Sequence, residues 1–140
     1  MDVDQEALGY ETYAYFYVCD FTGEPSSITD KLKINPTKTA RKGDVIRPSQ
    51  KLREFNSWEI HSPLNRSEIF LDVHIKAVLE IIEPKREQIL ELQLQGCTIG
   101  INCVGYYTDT HPGFGLSAEL LSRLAVFSLN LDFDLYCLCS

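Results

Sequence analysis

Two pairs of cysteines and three histidines are the residues with the greatest latent chemistry, and their spacing limits what they can do. Cys97-x5-Cys103 and Cys137-x-Cys139 do not match the roughly two-to-four-residue loops of structural zinc sites. All four fall on the apolar parity of strand-like stretches, where free cysteine packs as a small hydrophobe, so neither a metal nor any other cofactor is expected. A cysteine nucleophile would need His61, His74 or His111 beside it, and no local signature supplies one. His74 lies within a helical pattern and is expected at the boundary of the core. No catalytic residue is assigned.

Ligand-gripping residues are better represented. Arg41-Lys42-Gly43-Asp44 is first a turn, with glycine supplying a positive φ and Asp44 bonding nearby backbone. Arg41 and Lys42 could also hold a carboxylate or phosphate, because arginine offers a planar fork of donors. Trp58 is expected to pack over the same hairpin. The run His111-Pro112-Gly113-Phe114-Gly115 leads into a helix capped by Ser117, whose free N–H groups could hold an anion. Without a P-loop lysine, that run reads more simply as a turn. Tyr13, Tyr15 and Tyr17 share one face of a strand and could stack nucleic-acid bases. The basic-aromatic motif of such platforms is missing, however, and Asp132 and Asp134 would repel phosphate if they shared that face. Nucleic acid is therefore not an expected partner. The candidate binding residues are Arg41, Lys42, Asp44, Trp58, Gly113, Gly115, Ser117, Asp132 and Asp134.

The elements that must position these residues are legible in outline. Tyr13 to Asp20 is aromatic and β-branched, as a central strand should be. Ser26 or Ser27 can cap a short helix carrying Ile28 and Leu32, which Asn35-Pro36 stops. Thr37 to Arg47 and Ser57 to His61 form an irregular hairpin around a polar loop. Asn65 and Glu68 have the spacing of a capping box, predicting a long helix from Asn65 with Leu71, Ile75, Val78, Leu79 and Ile82 on its apolar side. Pro84 kinks that helix or opens a second, which Gly96 ends. Cys97 to Tyr107 reads as a half-exposed strand, Ser117 opens a helix with Leu120, Leu121, Leu124 and Phe127 on one side, and Leu129 to Cys139 alternates as a strand with one core face. The order β-α-β-β-α-β-α-β predicts an α+β fold, helices on one face of a mixed, mostly antiparallel sheet with ferredoxin-like elements. Residues 10–140 are expected to form a single domain and residues 1–9 a flexible acidic arm.

Charge is unevenly spread. Lys31 to Arg53 carries a net +7 and the remainder −14, for a total of −7. In so small a domain the cations are expected mainly to screen the acidic body internally. No run of about 18 apolar residues exists to cross a membrane, and the acidic start lacks a secretory leader. An odd number of cysteines fits reduced thiols, and together these features predict a cytoplasmic protein.

Ile28, Leu32, Pro36-Thr37, Arg41-Lys42-Gly43-Asp44, Trp58-Glu59 and the closing Leu131-Asp132-Phe133-Asp134-Leu135-Tyr136 occur in an order that resembles the uncharacterised bacterial family of domains of unknown function numbered 4279, over Tyr13 to Tyr136. The resemblance implies an α+β domain and carries over no site residue. The functional expectation is a non-enzymatic cytoplasmic module that binds a protein partner, of the kind an immunity-type inhibitor of a basic protein would be, with a homodimer also open. The alternative is a sensor or enzyme for a small anion, using Arg41, Lys42 and the Gly113 to Ser117 loop.

Overall fold

A computed structural model of the chain describes residues 11–107 and 113–138. The expected acidic arm, together with His111, Pro112 and Cys139, lies outside the described residues. The elements are β1 (Glu11–Cys19), α1 (Ser26–Leu32), β2 (Lys38–Ala40), β3 (Val45–Ile46), β4 (Lys51–Leu52), β5 (Ser57–His61), α2 (Leu71–Ile82), a 3-10 turn (Glu83–Lys85), α3 (Arg86–Leu94), β6 (Thr98–Tyr107), α4 (Ala118–Phe127) and β7 (Asn130–Cys137). Five strands form one sheet in the order β2-β5-β1-β6-β7, and β3 pairs with β4 as a separate ribbon within the hairpin. The first four strands of the large sheet are mutually antiparallel and β7 joins β6 in parallel. Setting the ribbon aside, β1-α1-β2-β5-α2/α3-β6 is the split β-α-β arrangement of ferredoxin-like folds. The α+β reading of the sequence is correct.

Strand β1 sets the sidedness. Thr12, Ala14, Phe16 and Val18 are fully buried, and the last three join one core cluster with Ile28 and Leu32 of α1, Ile75, Val78, Leu79 and Ile82 of α2, Ile89 and Leu92 of α3, and Leu120, Leu124 and Phe127 of α4. All the helices thus cover one face. Gly96, in the left-handed region at φ 97°, ends α3 in a Schellman turn: Cys97 N–H donates to Leu92 O at 3.1 Å and Gly96 N–H to Gln93 O at 3.0 Å.

Several local expectations are corrected. Helix α2 begins at Leu71, because Asn65 Oδ1 accepts from Ser67 N–H at 2.8 Å and so closes a local turn in place of a capping box. His74 is fully buried: Glu68 O accepts from its Nε2 at 2.7 Å, which leaves Nδ1 of a neutral ring to accept from Ser62 Oγ at 2.8 Å. Helix α1 has no side-chain cap, since Ser27 Oγ donates to Glu24 O instead. Strand β6 is buried on both faces because it is flanked by β1 and β7 and lies under aromatic rings. At the sheet edge, the apolar side of β7 outruns the helices, leaving Phe133 44% and Leu135 43% exposed and Cys137 in solvent.

Trp58 is fully buried on the helix side of β5, its ring edge-on to Phe16 at 6.3 Å and its Nε1 donating to Thr29 Oγ1 of α1 at 3.0 Å. It holds α1 to the sheet and is no surface contact. Trp58→Ala is expected to cost about 3–5 kcal/mol in urea unfolding. His74 yields a pH signature. Burial pushes its pKa below the ordinary 6.5, with Arg66 adding to the drop against the opposing Glu68 carbonyl and carboxylate. The unfolded chain therefore takes up the proton first, and stability present at neutral pH is lost as pH falls through the folded value. The urea midpoint should decline from about pH 7 to 5, and His74→Gln should flatten that decline while lowering the midpoint at neutral pH.

Candidate functional site

Placing one parity of β1 under the helices leaves the other parity on an open sheet face. The register lays this face out in rows across the strands: His61, Tyr15, Asn102 and Asp132 form one, and Lys38, Glu59, Tyr17, Gly100 and Asn130 the next. Tyr13, Val104 and Asp134 form a third. Asp132 and Asp134 thus share the face of the three tyrosines, the arrangement that disfavours a phosphate backbone.

The rings and carboxylates are tied to one another. Tyr15 stacks on His61 at 4.9 Å between ring centroids, and Tyr13 stacks on the same imidazole at 5.5 Å. The Arg66 guanidinium lies 3.8 Å above the Tyr13 ring and pairs with Glu11. Tyr17 donates its hydroxyl hydrogen to Asp132 Oδ2 at 2.8 Å. The Asn102 amide donates to Tyr15 Oη and to Asp134 Oδ2, each at 2.8 Å, while Glu59 Oε1 meets His61 Nε2 at 2.8 Å. Asn102 Oδ1 is buried and has no partner among the described residues.

Between these groups runs a groove of about 480 Å³ lined by Tyr15, Tyr17, Cys19, Phe55, Ser57, Glu59, Asn102, Asp132, Phe133 and Asp134. Among these lining residues there is no lysine, arginine or histidine, against three carboxylates. Burial and the hydrogen bond to Asp132 push the Tyr17 phenol far above its ordinary value. Burial also raises Tyr15, against the Asn102 amide, and Glu59, Asp134 and Asp132 raise it further. The phenols therefore stay protonated near neutrality. The Cys19 thiol is pushed up to about 11, chiefly by burial and then by Asp20 and Cys97, which keeps it from acting as a thiolate nucleophile. What the groove can do is accept hydrogen bonds, stack, and attract positive charge.

Of the candidate binding residues named from the sequence, only Asp132 and Asp134 meet here, beside Tyr15 and Tyr17 of the expected tyrosine face. Arg41-Lys42-Gly43-Asp44 forms the expected turn: Gly43 has φ 93°, Asp44 Oδ2 accepts from Arg41 N–H at 2.8 Å, and Asn56 Oδ1 accepts from Lys42 N–H at 2.7 Å. Arg41 is paired with Glu24 at 2.6 Å. Ser117 caps α4 by accepting from Leu120 N–H at 3.1 Å, as expected, and Gly113 and Gly115 are exposed ahead of it. Arg41 follows Ala40, which aligns through Ser57 and Cys19 with Thr98 at the start of β6, whereas the Gly113 to Ser117 segment follows the end of β6. These two basic and glycine-rich segments stand at opposite ends of the sheet and build no shared pocket. Of the eight cations between Lys31 and Arg53, only Lys31, with Glu91, and Arg41, with Glu24, make ion pairs among the described residues.

The sequence reading did not single out Glu59, Asn102 or Phe55. A signal for Glu59 existed: if Trp58 is core, its neighbour must face the other way. Asn102 could be found only through the register that sets it between Tyr15 and Asp132.

The family model described as "Domain of unknown function (DUF4279)" matches residues 10–138. No curated protein and no solved structure matches the chain.

Gly100 is the close approach on which the face depends. A Cβ there would lie 2.6 Å from Tyr17 Oη and 2.7 Å from the Asn130 carbonyl oxygen. Gly100→Ala, which in an unhindered strand would stabilise slightly, is instead expected to cost about 1–3 kcal/mol in urea unfolding and to shift the Tyr17 ring resonances.

Proposed function

Taking as premise that the chain belongs to the DUF4279 family, whose description assigns no activity, we propose that it is a non-enzymatic protein-interaction module that docks a basic partner on its open sheet face. The observation that carries this reading is the groove, where Glu59, Asp132 and Asp134 stand among aromatic rings with no lining cation. Aromatic area supplies contact and the carboxylates supply the sign of the partner. The thiols of Cys19, Cys97 and Cys103, which form no disulfide among the described residues, support a reducing, cytoplasmic setting. No helix among the described residues is long and apolar enough to cross a membrane. A small acidic domain that captures a basic protein is suited to the work of an immunity-type inhibitor, and electrostatic steering makes its association fast and salt-sensitive.

The small-anion alternative has less support. Arg41 already has Glu24 as its counter-ion, and the Gly113 to Ser117 segment stands at the far end of the sheet.

Partners recovered from the native host with the wild-type chain and with a chain carrying Asp132→Asn and Asp134→Asn, identified by mass spectrometry at low and high salt, test the reading. A basic protein is expected on the wild type, retained less at high salt and lost with the variant. Identical partner sets for the two chains, or sets dominated by acidic proteins or nucleic acid, would sink it.

A further inference from the structure

We propose that the groove is a receptor for one organic cation, an alkylguanidinium or alkylammonium group, stacked against Tyr15, Tyr17 and Phe55 and seated on Asp132, Asp134 and the Asn102 carbonyl. This rests on the docking reading above and names the group that the partner presents.

The hydrogen-bonding inventory selects the charge. Asp132 accepts from Tyr17 with Oδ2, Asp134 accepts from Asn102 with Oδ2, and Glu59 meets His61 with Oε1. Each carboxylate therefore has a second oxygen that makes no hydrogen bond among the described residues. Both amide hydrogens of Asn102 are committed, to Tyr15 and to Asp134, and its Oδ1 has no donor although the residue is only 8% exposed. A buried acceptor without a donor is unfavourable, and a donor from a ligand removes the deficit. An anion would meet acceptors and carboxylates and be repelled, while a neutral apolar ligand would strip water from three carboxylates and return no hydrogen bond.

Shape then narrows the chemistry. The volume of about 480 Å³ suits a group of amino-acid size, within the roughly 300–1,000 Å³ of ordinary ligand sites. Asp132 and Asp134 stand on the same side of one strand, about 7 Å apart along it, a span that the divergent N–H groups of a guanidinium can bridge. The flat ion also stacks on ring faces, and an ammonium on an alkyl stem makes the same contacts as a point charge.

The full chain is titrated by NMR, following the Asn102 side-chain amide and the Tyr15 and Tyr17 rings, with N-acetyl-argininamide, N-acetyl-lysinamide, the neutral isostere N-acetyl-citrullinamide and inorganic phosphate. The two cations should shift these resonances saturably, and the citrulline compound should bind at least about tenfold more weakly. Asp132→Asn with Asp134→Asn should weaken the arginine compound by a similar factor; Glu59→Gln, on a different strand, gives a second reading if the double variant folds poorly. Equal binding of the arginine and citrulline compounds, full affinity in the variants, or saturable binding of phosphate would overturn the proposal. Two outcomes separate it from the docking reading. If the cations bind but no basic protein does, the groove is a small-molecule site and only the docking reading falls. If a basic protein depends on Asp132 and Asp134 while every probe leaves Asn102 unmoved, the cation seat falls and docking stands.

Discussion

The packing of one face of β1 against the helices is the constraint on which the rest of the molecule depends. Ala14, Phe16 and Val18 are fully buried in a core to which every helix contributes, and strand geometry then obliges Tyr13, Tyr15 and Tyr17 to stand on the other side. Burying those three side chains stabilises the domain by roughly 1–3 kcal/mol each. A slip of one residue in register would put the tyrosine hydroxyls into the apolar layer. The period of two therefore defines core and open face in the same step.

That open face is held by its own side chains, with no second layer over it among the described residues. Rings stack through His61, phenols and the Asn102 amide bind carboxylates, and Gly100 makes room for the Tyr17 ring. These contacts fix the side chains of the face against one another within the domain itself. The same arrangement sets the carboxylates of β7 beside protonated phenols, giving a groove that is both aromatic and acidic. The thiol of Cys19, among the residues that line it, is raised by burial.

Charge segregation in the sequence becomes spatial segregation in the fold. Five of the hairpin's cations, Arg41, Lys42, Arg47, Lys51 and Arg53, lie in or beside the separate β3–β4 ribbon, and the carboxylates of Asp132 and Asp134 lie on the edge strand β7 of the large sheet. With only Lys31 and Arg41 ion-paired among the eight, most of the positive charge faces solvent. Both ion pairs are exposed and so contribute little to stability, about 0–1 kcal/mol each.

The sequence by itself determined whatever follows from local periodicity: the aromatic central strand, the Pro84 break, the Gly96 stop, the Ser117 cap, the turn at Gly43 and the α+β class. These are set by backbone sterics and by residues within a few positions of each other. It misjudged features that depend on what packs on top. The expected cap at Asn65 closed a local turn on Ser67, and Trp58 left the candidate surface because α1 covers it. The candidate groove lay beyond sequence reasoning for the same reason. Its residues come from β1, β5, β6, β7 and the loop bearing Phe55, and only pairing between strands distant in the chain sets Asn102 between Tyr15 and Asp132.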